Sequence, residues 1–469
     1  MKALSIEEQP LPTVAVKQPK VDVVKEYGQT KRKPHVNFVV VGHVDAGKST
    51  LMGRLMVDIG AIDERTINKY KHDADKLGKG SFAFAWVLDQ SEEERERGVT
   101  IDVATNYFES PKVSFTILDA PGHKDFVPNM IAGASEADFA VLVIDSSPNA
   151  FESGFNQNGQ TKEHALLVRS LGVQRIIVAV NKLDNVRWAE YRFAEIKEQM
   201  QAFLTSIGFA ESQASFVPCS GLAGDNIVRR STEEELLAWY GDGPTLLDEL
   251  ENLRLVERDI KGSLRVSVTD VFKSSSSSLV NVTGRINSGN VQSGETVVVV
   301  PSMQTATVKT IMVSNDLRDW AVAGDNVQLG LSSIDLVHLR AGDVLCGLTS
   351  APVRRARTFT ARVILFQLRV PIIKGSNAIV YRGRSSQAVK ITKLIAVLDK
   401  ASGKVSKSKP RHLVSGQSAV VEIEVEGKGC FPLETFRESK DLGRVVLRQD
   451  GNTIAAGIVE EVGAVLNEL

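Results

Sequence analysis

Residues 42–50 read GHVDAGKST. Two glycines framing four residues, followed by a lysine and two hydroxyls, are what a chain needs to curl backbone N–H groups around phosphate oxygens at the start of a helix. In the spacing G-x-x-x-x-G-K-[ST], Gly42 and Gly47 shape a loop completed by His43, Val44, Asp45 and Ala46. Lys48 is then expected to reach the β- and γ-phosphates and Ser49 to give its hydroxyl to magnesium, with Thr50 in the same nucleotide-contacting stretch. A second element, DAPGH at residues 119–123, ends the apolar run VSFTIL. There the Asp119 carboxylate would hold a magnesium-bound water, and Gly122 would turn its N–H toward a γ-phosphate.

The third element is SEEERERGVTID, residues 91–102. Glu92 to Glu96 read as a solvated helix face, the ordinary fate of a charge run. Thr100 is different: a hydroxyl following a mobile glycine could complete the magnesium shell only while the γ-phosphate is present. A loop of that kind reports hydrolysis by ordering and releasing. The fourth element names the base. In NKLD, residues 181–184, the Asp184 carboxylate can accept from guanine N1–H and the 2-amino group, neither of which adenine offers on that edge. Asn181 would brace the loop and Lys182 would lie along the base. Backbone N–H groups of Ser220, Gly221 and Leu222, in SFVPCSGL, could meet guanine O6. In this order the elements specify a guanine nucleotide switch, with GTP/GDP and Mg²⁺ as its ligands.

The elements that must position these residues are legible too. VNFVVVG, VSFTILD, DFAVLVID, RIIVAVN and SFVPCS have the continuous apolar character of buried parallel strands, and KSTLMGRLMVDIG and KEHALLVRSLG have helical period. Alternation of the two predicts a doubly wound, mostly parallel α/β domain over residues 35–257, with its ligand loops at the carboxyl ends of the strands. After Asp259 the chain turns β-rich, and a break at LTSAPVRRARTF divides it into two antiparallel barrels, expected at 258–350 and 351–469. Residues 1–34 mix proline, valine and lysine without period and read as a flexible linker. The serine run Ser274–Ser278 reads as a hairpin loop, and the basic SKSKPRH at 406–412 as a solvated hairpin.

Composition narrows the class. The 469 residues carry 56 basic and 57 acidic side chains, so bulk electrostatics cannot grip nucleic acid, and neither DNA nor a membrane is an expected partner. Three scattered cysteines give no disulfide framework and no metal spacing, in keeping with a reducing cytosol. The start lacks the features of a secretory signal, and the expected location is cytoplasmic.

GHVDAGKST, ERERGVTID, DAPGH, NKLD and the paired β-rich regions together resemble the translational GTPases, the family of elongation factor Tu and its eukaryotic relatives, from about residue 36 to 465. The resemblance implies a GTPase domain that closes on two barrels in the GTP form and delivers a cargo to the ribosomal A site. It implies that His123 orients the attacking water and that Val44 and Val99 form the apolar gate that restrains it. The chain supplies no obvious arginine finger, Arg95 and Arg97 being candidates, so slow intrinsic hydrolysis with the ribosome as activator is expected. WYGDGPTLLDEL at 239–250 resembles the eukaryotic and archaeal-type members. Residues 318–346 and GNTIAAGIVEEV at 451–462 resemble the Hbs-type ribosome-rescue GTPases, which carry Pelota, a tRNA-shaped relative of the class I release factor, to stalled ribosomes. A class II release factor, an aminoacyl-tRNA-delivering elongation factor, a non-hydrolysing binding module and a sulfate-activating GTPase subunit are the alternatives.

Overall fold

The computed structural model describes residues 21–30, 32–89, 91–97, 100–156, 159–253, 257–273, 278–399, 402–427 and 429–463. The chain divides into two compact units: Lys33–Val256, and Glu257–Leu469 together with the residues up to Arg32.

In the first unit a six-stranded sheet forms from β1 (His35–Gly42), β2 (Ala104–Glu109), β3 (Ser114–Asp119), β4 (Phe139–Asp145), β5 (Ile176–Asn181) and β6 (Ala214–Pro218), in the spatial order β2-β3-β1-β4-β5-β6. All neighbours are parallel except β2 and β3. The parallel strands are near-continuous runs of Val, Ile, Leu and Phe because helices cover both faces of the sheet. Every residue of β1 after His35 is buried. Phe38 is fully buried, stacked on Phe139 at 5.2 Å and edge-on to Phe115 at 6.0 Å; burying such a side chain contributes about 1.5–3 kcal/mol. β2 is absent from the sequence reading. ATNYFE has only partial burial, and an edge strand with one partner needs no apolar run.

β1, β3 and β5 end at Gly42, Asp119 and Asn181, and Ser220 follows β6. The register sets Val40 beside Asp119 and Asp145 beside Asn181, so the motifs emerge along one edge of the sheet. The helix Lys48–Asp58 starts there. No helix among the described residues is long and apolar enough to cross a membrane.

The second unit holds two antiparallel barrels. In the first, six strands from Arg265–Lys273 to Val344–Gly347 close where Thr296–Val300 pairs with Thr305–Val313. In the second, Asn377–Arg382 closes on Ser385–Leu398. Each has its own aliphatic core. The break at 348–359 is not purely a linker, since Arg354–Ala356 pairs with Phe431–Leu433. The serine loop at 274–277 lies outside the described residues; its flanking strands pair with Lys273 opposite Val280. In the basic hairpin, Val405–Ser408 pairs with the end of Ser385–Leu398 and is exposed throughout.

The linker expectation for residues 1–34 is corrected over its described part. Asp22 caps a helix at Val23–Gln29, accepting from the Lys25 N–H. This segment packs on the first barrel: Gln292 bonds both the N–H and the C=O of Val21, Tyr27 meets Trp320 edge-on, and the Arg32 guanidinium lies 4.3 Å from the Trp320 ring centre. Seven helical residues with one buried position, Val23, carry too little period to be read as a helix.

Candidate nucleotide-binding site

A cavity of about 400 Å³ opens at the carboxyl edge of the sheet. Val44, Asp45, Gly47, Lys48, Ser49, Thr50, Thr100, Gly122, His123, Asn181, Lys182, Asp184, Ser220 and Leu222 line it. Gly42 and Ala46 form the backbone behind it, and the His43 ring turns away to line a separate cavity of about 200 Å³.

The phosphate end is built on left-handed backbone. Asp45 has φ 60° and Gly47, the cap of the helix Lys48–Asp58, has φ 86°. A Cβ on Gly47 would stand 2.6 Å from Asn181 Nδ2, so a side chain is excluded on both counts. Lys48 is buried, donating to the carbonyls of Gly42 at 3.2 Å and His43 at 3.0 Å. Burial lowers the pKa of its ammonium.

Three oxygen-bearing side chains converge beside it. Ser49 Oγ donates to Asp119 Oδ2 at 2.6 Å and lies 3.2 Å from Thr100 Oγ1. Oδ1 of Asp119 is buried without a partner among the described residues. Burial raises the Asp119 carboxyl to about 6. Two hydroxyls and a partly unsatisfied carboxylate are a hard-oxygen donor set that fits Mg²⁺; no group of three or more His, Cys, Asp or Glu that could hold a metal is found among the described residues.

Asp89, which sequence reasoning missed, also lines this cavity. It is buried, its Oδ1 has no partner among the described residues, and burial, then Asp119 and Glu94, push its carboxyl up to about 7. Its signal was an aspartate closing the apolar stretch FAFAWVLD.

The solvated-face reading of Glu92–Glu96 is corrected at Glu94. Glu92 and Glu93 are exposed, and the Glu96 side chain lies outside the described residues. Glu94 is buried and accepts the N–H groups of Ile101 at 2.9 Å and Ser91 at 3.2 Å. Burial raises its pKa, yet these N–H groups hold it below the usual carboxylate value. Asn129 secures the Ile101 carbonyl at 2.8 Å. Thr100 is thus held against Ser49 by the residue that follows it. Removing a charge-assisted bond costs about 1.5–3 kcal/mol. Glu94→Ala should therefore leave GDP affinity within about twofold while lowering affinity for a non-hydrolysable GTP analogue about tenfold; equal losses for both in a calorimetric titration would refute this role.

Neither arginine-finger candidate faces the cavity. Arg95 donates to the Asp89 carbonyl at 3.0 Å and stacks over Tyr70 and Trp86, and Arg97 pairs with Glu93 at 2.9 Å. His123 lines the cavity with its side chain 42% exposed. Its Nδ1 faces Asp125, 3.3 Å from the backbone N–H and 3.4 Å from the carboxylate Oδ2. Of the expected gate, Val44 lines the cavity and Val99 lies outside the described residues.

At the base end, Asn181 braces as expected: Nδ2 donates to the Ala46 carbonyl at 2.9 Å and Oδ1 accepts from the Gly221 N–H at 2.8 Å. The expectation for Gly221 is thereby corrected, since its N–H holds Asn181, and the Ser220 N–H donates to the Asp225 carbonyl at 3.1 Å. Leu222 supplies the N–H with no partner among the described residues, and it is available to a base oxygen. Lys182 is pinned to the phosphate loop, its Nζ donating to the Asp45 carbonyl at 2.6 Å and to Asp145 at 2.8 Å. Asp184 Oδ1 is buried without a partner among the described residues, an acceptor suited to a base donor.

Three family descriptions match in series: Elongation factor Tu GTP binding domain over residues 33–258, Elongation factor Tu domain 2 over 280–346, and GTP-eEF1A C-terminal domain-like over 358–460. The chain is 46% identical over 444 residues to the Elongation factor 1 alpha-like protein of Schizosaccharomyces pombe, covering 94% of this chain and 72% of that one. It is 42% identical over 437 residues to Protein HBS1 of Drosophila melanogaster, covering 93% of this chain and 64% of that one. It is 40% identical to Elongation factor 1-alpha of Ignicoccus hospitalis, over 92% of this chain and 97% of that one. The fold matches the Ski7 GTPase-like domain of S. cerevisiae, solved with GDP and inorganic phosphate, with a TM-score of 0.77 at 21% identity over 94% of this chain and 99% of that one. Similarity of this extent, on a chain whose cavity is shaped for a nucleotide, leaves one conclusion: the chain belongs to the elongation factor Tu family of translational GTPases.

Proposed function

We propose that this GTPase carries a Pelota-type protein to the A site of stalled ribosomes and releases it after GTP hydrolysis, as a cytoplasmic factor in ribosome rescue and in no-go and non-stop mRNA decay. The observation that carries the switch is the meeting of Ser49 and Thr100 with His123 in one cavity, with the buried Asp119 bonded to Ser49 behind them. Similarity to Protein HBS1 over 93% of the chain supports the rescue branch.

In this reading the N–H groups of the phosphate loop and the Lys48 ammonium hold the β- and γ-phosphates, Gly122 offers its N–H to the γ-phosphate, and Asp184 reads guanine. Mg²⁺, held by Ser49 and Thr100 and through water by Asp119, would neutralise charge between the β- and γ-phosphates. His123 Nε2 orients the water that attacks γ-phosphorus, while Val44 and Val99 keep it out of line until the ribosome repositions the ring. The bond to the β–γ bridging oxygen then breaks. Thr100 loses its γ-phosphate-dependent contact, and its loop is released.

Similarity to Elongation factor 1-alpha across 97% of that protein's length favours a second reading, aminoacyl-tRNA delivery. The test is capture of Pelota, the class I release factor and aminoacyl-tRNA at equal concentration by the protein loaded with a non-hydrolysable GTP analogue. Selective capture of Pelota is expected. Preference for release factor would move the protein to termination, and preference for tRNA to elongation.

A further inference from the structure

The guanine loop ends in an unusual turn. Arg187 and Trp188, directly after the short 3₁₀ turn Leu183–Val186, have φ of 51° and 53°, and Lys182 before it has φ of 60°. Residues with side chains rarely adopt this region, and two in succession need outside support. Within the turn the Arg187 N–H donates to the Asp184 carbonyl and the Trp188 N–H to that of Leu183, both at 3.0 Å.

Outside support comes from the helix Glu234–Tyr240. The Trp239 indole Nε1–H donates to the Trp188 carbonyl at 2.8 Å. The Trp239 ring is itself held, 5.1 Å from Phe193 and 5.7 Å from Tyr240, whose hydroxyl donates to the Pro244 carbonyl at 2.8 Å. The same stretch fastens the second base loop: the Leu246 N–H donates to the Asn226 carbonyl at 3.1 Å and the Leu247 N–H to the Ile227 carbonyl at 2.8 Å. WYGDGPTLLDEL thus backs both loops without lining the nucleotide cavity.

We infer that Trp239 is a positioning residue for guanine recognition, its indole holding, through the Trp188 carbonyl, the left-handed turn that aims Asp184. The inference rests on Asp184 reading the base, and the nucleotide pair chosen separates the two claims. Inosine diphosphate lacks only the 2-amino group, one of the two donors assigned to Asp184. Loss of the aim therefore weakens GDP more than IDP, whereas a purely structural role for Trp239 weakens both alike.

Calorimetric titration of the full chain with GDP and IDP tests this. The wild-type protein should prefer GDP at least about tenfold. Trp239→Phe keeps the packing and removes the donor; it should shrink that preference about threefold or more. Adding Arg187→Gly, which accepts the left-handed turn without help, should restore part of it. A preference unchanged in Trp239→Phe overturns the inference even if both affinities fall. Equal wild-type affinities for GDP and IDP would overturn the Asp184 reading and this inference with it.

Discussion

Replacing Asp184 with asparagine should exchange guanine for xanthine. The Asp184 Oδ1 atom is buried with no partner among the described residues, so it depends on a ligand donor. Guanine brings two, N1–H and the 2-amino group, to a carboxylate that only accepts. An asparagine amide would set its own NH₂ against one of them, losing a bond and leaving a donor facing a donor. Sites built around such hydrogen bonds discriminate by about 10³-fold or more. Asp184→Asn should therefore lose GDP affinity by about that factor and gain xanthosine diphosphate, whose carbonyl at the 2-position accepts from the new amide. Retention of GDP affinity within threefold, with no xanthosine diphosphate binding, would contradict the assignment.

Gly122→Ala has the second large effect. A Cβ there would lie 2.4 Å from Lys48 Nζ, 3.0 Å from the Gly42 carbonyl and 3.2 Å from the His43 carbonyl. Two of these are backbone atoms of the phosphate loop, so a methyl must drive the DAPGH turn and the loop apart or displace the buried Lys48. Even where Lys48 yields, the two backbone carbonyls push the turn, and with it the Gly122 N–H, away from the γ-phosphate position. Because that contact is made only with a triphosphate, GDP affinity should fall by less than about fivefold, and the rate of single-turnover GTP hydrolysis by about 10²–10³. Hydrolysis at the wild-type rate would show that the turn has room the structure does not give it.

What could be read from the sequence follows from how local each feature is. Gly42, Gly47, Lys48 and Ser49 fall within one loop and the helix start that follows it, Asp119 and Asn181 end their strands, and Asp184 lies in the turn directly after Asn181, so pattern and spacing sufficed to bring them to one edge of the sheet. The roles of Glu94 and Asp89 depend on burial and on a bond from the Ile101 N–H to Glu94 that charge and period do not encode. A glutamate in a run of glutamates looks solvated until its neighbour's N–H groups are seen. The Gly221 N–H looks unclaimed in sequence, whereas in the fold Asn181 Oδ1 accepts it. Trp239 acts through a carbonyl 51 residues away, which no motif records. The edge strand β2 and the helix Val23–Gln29 have too few buried positions to show a period.

In the proposed function the ribosome triggers hydrolysis through His123. Phosphate release by wild-type and His123→Ala protein, measured with and without ribosomes under multiple turnover, tests it most directly. Ribosomes should accelerate the wild type by about 10³-fold or more, and His123→Ala should bind GTP with unchanged affinity yet be barely stimulated. Equal stimulation of the two proteins would contradict it.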